Sequence, residues 1–130
     1  MKYTIPGPPK GKARHRTGNG RTYTPEQTAM YENLVKYAYV EAGGKMLNGQ
    51  VEMTIYAYYL IPKSISKKRR ALMLEGKVRP TIKPDWDNIG KIVADSLNKI
   101  AYRDDACVTD ATVRKRYSDN PRVEIEIVEV

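Results

Sequence analysis

Five of the chain's fifteen acidic residues fall in one stretch, Pro84 to Asp105, PDWDNIGKIVADSLNKIAYRDD. They are Asp85, Asp87, Asp95, Asp104 and Asp105, in a 130-residue chain whose formal charge is +8. Carboxylates placed that close in a fold raise one another's pKa unless a cation neutralises them. Asp85 and Asp87 are two residues apart, a spacing that points both side chains the same way in an extended segment, so both can reach one ion. A turn that returned Asp105 would add a third carboxylate. Oxygen ligands in that number suit Mg²⁺, with Mn²⁺ as a substitute, a hard cation that keeps waters and binds phosphate. Zinc needs a cluster of cysteine and histidine, and the chain has one of each. The aspartates also have plainer uses: Asp87 as a helix N-cap, Asp104 in a turn, Asp95 paired with Lys91 or Lys99 four residues away. The combination of Asp85, Asp87, Asp105 and Lys91 inside a basic chain favours the metal reading. Solvated caps give no reason for a phosphate-attracting surface to surround them.

The partner is read from charge. Twenty-three Lys and Arg against fifteen Asp and Glu point to nucleic acid, whose phosphates attract such a surface whatever the base sequence. One basic tract, KGKARHRTGNGRTY, carries Lys10, Lys12, Arg14, Arg16 and Arg21 without an acid, and its Asn19-Gly20 pair suits a tight turn in a basic loop or loose hairpin. A second runs from Ile61 to Lys83 and includes Lys67, Lys68, Arg69 and Arg70. Both are expected to converge on one duplex or junction. Gly7 to Lys12 only superficially resembles a phosphate-cradling loop: it has three residues between its glycines, two of them prolines without an N–H, and Ala13 follows the lysine. His15, between Arg14 and Arg16, reads as a phosphate or solvent contact, because its basic neighbours repel a metal and disfavour protonation.

The elements that would position these groups fit one α+β domain over 1–130, a small mixed or antiparallel sheet with two main helices in the order β-α-β-(short α)-α-β-β. Residues 1–5 form a strand ended by the prolines at 6, 8 and 9. Thr24 as N-cap and Pro25 as first residue open a helix with Ala29 or Met30, Leu34, Tyr37 and Ala38 or Val40 inward, ended by Gly43-Gly44. Val51 to Leu60 alternates as a strand with Val51, Met53, Ile55 and Ala57 on one face; Tyr56, Tyr58 and Tyr59 suit sheet packing more than base stacking. Ser64 or Ser66 caps a short helix through Leu74, stopped by Gly76. Asp87 caps a helix from Asn88 to Ile100, with Ile89, Ile92, Val93, Leu97 and Ile100 buried and Asn88, Lys91, Asp95 and Asn98 on a polar stripe beside them. A strand beginning near Ala106 then pairs with RVEIEIVEV across the turn at Ser118 to Pro121. A single cysteine, no signal-like N-terminus and no membrane-length apolar run lead to an expectation of a soluble cytoplasmic protein without a membrane partner.

The motifs Asp85-Trp86-Asp87-Asn88, Lys91, Asp95-Ser96-Leu97 and Asp104-Asp105-Ala106, with Pro8-Pro9 and Gly20-Arg21-Thr22-Tyr23 before them, resemble the RusA family of Holliday-junction resolvases along nearly the whole chain. The resemblance implies a bacterial or phage-encoded nuclease, with Asp85, Asp87 and Asp105 as metal-binding carboxylates and Lys91 as an essential lysine. It also implies a homodimer that nicks two strands of a four-way DNA junction symmetrically. Two positions depart from the pattern: Gly11-Lys12 stands where many members carry an Asn pair, and Trp86 replaces a more usual aliphatic residue. On this reading Lys91 stabilises the scissile phosphate or the leaving oxygen, Asn88 orients a ligand carboxylate, and Asp95 positions Lys91. The alternatives are a protein that grips branched DNA without cutting it and a nuclease acting on another structured nucleic acid.

Overall fold

The computed structural model describes residues 1–12, 16–18, 21–23 and 26–130, the two short segments in backbone only. Its centre is β4 (Val51–Leu60), whose inward residues Val51, Met53, Ile55, Ala57 and Tyr59 are buried while the alternate positions are not. Both edges of β4 are paired, antiparallel to β6 (Arg122–Glu129) and parallel to β5 (Val108–Ser118). β1 (Lys2–Pro6) adds to the far side of β6, giving a four-stranded mixed sheet in the order β1-β6-β4-β5. The expected α+β class and the order of the main elements hold.

The expected pairing of the last two strands does not. β5 and β6 lie on opposite sides of β4, and the segment between them steps across its end, where the Ile61 N–H donates to the Ser118 carbonyl at 3.1 Å. The Arg122 guanidinium ties that corner, donating to Ser118 Oγ at 3.1 Å and to the Asn120 carbonyl at 2.9 Å. The physical reason is burial. β4 has a full apolar face and suits the middle of the sheet, whereas β5 exposes Thr109, Asp110, Ala111, Thr112 and Arg114, residues suited to an edge. β5 starts at Val108, close to the expected Ala106, after a 3₁₀ turn over Asp105–Cys107.

Helix α1 (Glu26–Glu41) is a helix as expected, but its inward stripe is Thr28, Tyr31, Val35 and Tyr39. Met30, Leu34, Tyr37 and Val40, four of the residues read as inward, are exposed. Two apolar stripes are interleaved on this helix, and amphipathic tyrosines blur the choice between them. Tyr39 can be buried because its hydroxyl donates to the Lys45 carbonyl and its ring meets Tyr3 edge-on at 5.5 Å. The proposed Thr24 cap and Pro25 lie outside the described residues.

Helix α2 (Lys67–Leu74) behaves as its sequence implies: Ser66 Oγ accepts from the Arg69 N–H, and Gly76 at φ +79° follows its end. Helix α3 runs from Trp86 to Ser96 with Asp85, not Asp87, at the N-cap and Leu97 at the C-cap. It ends four residues before Ile100, because the chain turns through Lys99, at φ +67°, into the Asn98–Tyr102 bridge. Ile89, Ile92, Val93 and Leu97 are buried as expected. A short antiparallel ladder joins β2 (Arg16–Gly18) to β3 (Arg21–Tyr23) within the first basic tract. Among the described residues no helix is long and apolar enough to cross a membrane.

Because Ile92 is fully buried in the core beneath α3, Ile92→Ala should cost about 2–5 kcal/mol of stability. Urea unfolding checks this, and a cost below about 1 kcal/mol would contradict close packing at this position.

Candidate active site

The apolar stripe of α3 packs inward, with Gly90 close enough to β5 that a Cβ there would lie 3.5 Å from Val113. That docking turns the helix N-terminus, with Asp85 and Asp87, to the surface, where both are exposed. Asp85 occupies the N-cap but makes no side-chain capping hydrogen bond. Its carboxylate is therefore uncommitted at the end of a helix whose dipole favours negative charge.

Two sheet residues hold the approach to this helix. Tyr59 of β4 donates its hydroxyl to the Pro84 carbonyl at 2.6 Å, and Lys115 of β5 donates to the Ile82 carbonyl at 2.5 Å. The Lys115 ammonium also lies 5.0 Å from the Tyr59 ring centre. Burial, with the nearby Asp85 and Tyr117 charges added, pushes the Tyr59 hydroxyl up to about 12. Burial lowers the Lys115 pKa while Asp85 partly restores it. Tyr59 packs in the sheet as its strand position implies, but its bond to Pro84, and Lys115 altogether, were missed by sequence reasoning. The available signal was a lysine at an inward position of a strand, between Val113 and Tyr117, where charge is rarely placed without a task.

At the other end of α3, Tyr102 is fully buried and donates to the Ala94 carbonyl at 2.7 Å. It anchors the turn that leads to Asp104 and Asp105. Asp104 accepts from the Ala106 N–H at 2.9 Å, the turn role expected of it. The Asp105 carboxyl is held above the usual carboxylate range by burial first, then by a hydrogen bond to Asp95 and the charges of Asp95 and Asp104, partly opposed by its own backbone N–H. Asp95 is the hub of this end. Its Oδ2 lies 3.6 Å from the Lys91 ammonium and 3.5 Å from that of Lys12, which in turn meets Glu32 of α1 at 2.8 Å.

The fold thus brings Asp95 and Asp105 together, and sets Asp85 and Asn88 in an open groove of about 380 Å³ lined also by Lys10, Gly11, Lys12 and Lys83. The donors are carboxylates, the ligand type a divalent cation takes, and a cation beside Asp105 would relieve the crowding that raises its pKa. Among the described residues no three such groups converge as a closed metal site. Two larger grooves, of about 440 and 430 Å³, flank α1 beside Met30, Leu34 and Tyr37, and none of the five aspartates lines them.

The basic residues separate in the same way. Lys10 is exposed, whereas Lys12 is turned inward. Lys67, Lys68 and Arg69 are exposed on α2, and Arg70 pairs with Asp119. Arg14 lies outside the described residues, as do the side chains of Arg16 and Arg21.

A mixed sheet is thus backed by α1 and α3, with paired aspartates opening α3 and further carboxylates past its end. Residues 6–128 match the family described as Endodeoxyribonuclease RusA, and the chain belongs to that family. It is also similar to an uncharacterized protein, YqaN, of Bacillus subtilis (strain 168), at 37% identity over 137 aligned positions covering 100% of this chain and 96% of that protein.

The crowding at Asp105 has a sign. With its folded pKa raised, the folded state binds the proton more tightly, so stability falls as pH rises from the unfolded value through the folded one. Without divalent ions, Asp105→Asn should therefore raise the melting temperature at pH 7 by about 1–4 °C, discounted for solvent exposure. The gain should vanish below pH 4, and a destabilised Asp105→Asn at pH 7 would contradict the repulsion.

Proposed function

We propose that the protein is a divalent-metal-dependent endodeoxyribonuclease that resolves four-way DNA junctions, its homodimer placing one nick in each of two symmetric strands. The observation that carries the reading is the uncapped, exposed Asp85 beside Asp87 at the N-terminus of α3, within a family of endodeoxyribonucleases. Asp85 and Asp87 at the N-terminus of α3, and Asp105 beyond its other end, are the residues that would hold one or two Mg²⁺ ions, or Mn²⁺ in their place. When bound, the ion supplies an activated water and neutralises charge developing on the phosphate.

The chain's own residues then have distinct tasks. Lys91, with its side chain 60% exposed, can turn from Asp95 to the scissile phosphate or the leaving oxygen. Asp95 sets where that ammonium starts. Asn88 lines the groove next to Asp85 and can orient a ligand carboxylate. Lys10 with Arg14, Arg16 and Arg21, and Lys67, Lys68, Arg69 and Arg70, supply phosphate contacts on the arms of the junction. The likeness to a bacterial protein supports a bacterial or phage-encoded enzyme, which would act on DNA in the cytoplasm.

The test is cleavage of a labelled four-way junction at stated salt, with and without Mg²⁺, alongside the protein's mass in solution. Wild type should nick two opposed strands only with the ion present, as a dimer. Asp85→Asn and Asp87→Asn should each lower cleavage by about 10²–10⁴-fold, the scale of lost transition-state charge stabilisation. Both should keep or strengthen junction binding, because less negative charge faces the phosphates. Binding with every strand intact would leave a branched-DNA-binding protein, and full activity in either variant would remove the metal assignment.

A further inference from the structure

Lys12 was expected among the phosphate contacts, yet its side chain is only 13% exposed, against 60% for Lys91. Its ammonium donates to Glu32 Oε2 at 2.8 Å and lies 3.5 Å from Asp95 Oδ2, carboxylates exposed at 17% and 21%. Burial works against this charge, but the Glu32 hydrogen bond and the Glu32 and Asp95 charges outweigh it, and the pKa is raised. The backbone is held as well. The Lys12 N–H donates to the Asn88 carbonyl, in the first turn of α3, at 3.1 Å. A Cβ at Gly11 would stand 3.0 Å from the Asn88 Cβ and 3.1 Å from the Pro84 Cβ, so the close approach of this segment to α3 is suited to glycine.

We infer that Lys12 is a positioning residue for the cleavage reaction, a fixed internal cation that Glu32 holds against Asp95 so that Lys91 remains free to serve the phosphate. The inference rests on the proposed nuclease function. Both ammonium groups approach the same oxygen of Asp95, at 3.5 and 3.6 Å. One is braced from α1 and largely buried; the other is exposed and braced by nothing else among the described residues. With Lys12 in place, Asp95 has a permanent counter-charge and need not sequester Lys91. Without it, Asp95 would draw the Lys91 ammonium onto itself and would press its uncompensated charge on Asp105. The same contacts pin the start of the first basic tract to the helix that carries Asp85 and Asp87.

The test is a double-mutant cycle read in single-turnover cleavage of a four-way junction, with binding measured separately without divalent ions. Lys12→Met should slow cleavage at saturating protein by about 10-fold or more, the scale of lost outer-sphere support at a metal site. The junction dissociation constant and its salt slope should stay within about twofold of wild type, since no phosphate contact is lost. Lys12→Arg should recover most of the rate. In an Asp95→Asn background, Lys12→Met should have no further effect, because the partner it acts through is gone. Lys12→Met leaves Glu32 without its lysine and Asp95 with Lys91 alone, so Lys12→Met/Glu32→Gln serves as the charge-balanced control and should fold while remaining slow. Weakened binding with a salt slope smaller by about one, and losses that add to those of Asp95→Asn, would make Lys12 a phosphate contact and overturn the inference. If wild type cuts no junction, the nuclease reading is what fails. The same cycle read in thermal unfolding then decides the pairing: coupled Lys12 and Asp95 midpoints support it, and additive ones overturn it.

Discussion

Repulsion between carboxylates gathered at the two ends of α3 is the constraint around which the surrounding contacts are arranged. Acids left close together on a mobile chain would drift apart or take up protons. Here the buried stripe of Ile89, Ile92, Val93 and Leu97 fixes the helix to the sheet, so Asp95 cannot move away from Asp105 without disturbing the core. The Tyr102 hydroxyl closes the same helix against the turn that carries Asp105. Hydrophobic burial, spread over many contacts, thereby offsets an electrostatic cost concentrated in a few groups.

The cations near these acids differ in freedom. Lys12 is immobilised between Glu32 and Asp95, Lys115 is committed to the Ile82 carbonyl and the Tyr59 ring, and Lys91 is exposed. A buried pair with satisfied hydrogen bonds holds geometry, whereas an exposed lysine keeps the rotamers needed to follow a phosphate. α1 contributes Glu32 to this arrangement, β4 contributes Tyr59 and β5 contributes Lys115. A helix that would otherwise be only a wall of the core therefore supplies a charge to the site.

How much could be read beforehand depended on how local the cause was. Ser66, Gly76 and the alternation of Val51 to Leu60 act within a few residues, and α2 and β4 follow them. α1 was legible as a helix but not in its orientation, since Met30, Leu34 and Tyr37 are as apolar a stripe as Tyr31, Val35 and Tyr39. Only packing against Tyr3 and the sheet separates the two. The N-cap was misplaced by two residues for a related reason: Asp85 and Asp87 have the same chemistry and both precede a helical pattern. The neighbourhood of β6 depended on which strand has the best face for the middle of the sheet, a comparison among strands that no single strand records.

By itself the sequence determined the family, the α+β class, the basic character of the partner surface and the aspartates and lysine that carry the motif, because these follow from residue types at short spacing. Tertiary structure alone decided that β4 separates β5 from β6 and that Tyr59 and Lys115 hold the segment before Asp85. It also decided that Lys12 turns away from solvent to meet Glu32 and Asp95. Lys12, Glu32 and Asp95 are separated by 20 and 63 residues in the chain, and an ion pair over such distances forms only when packing has already brought α1 and α3 side by side.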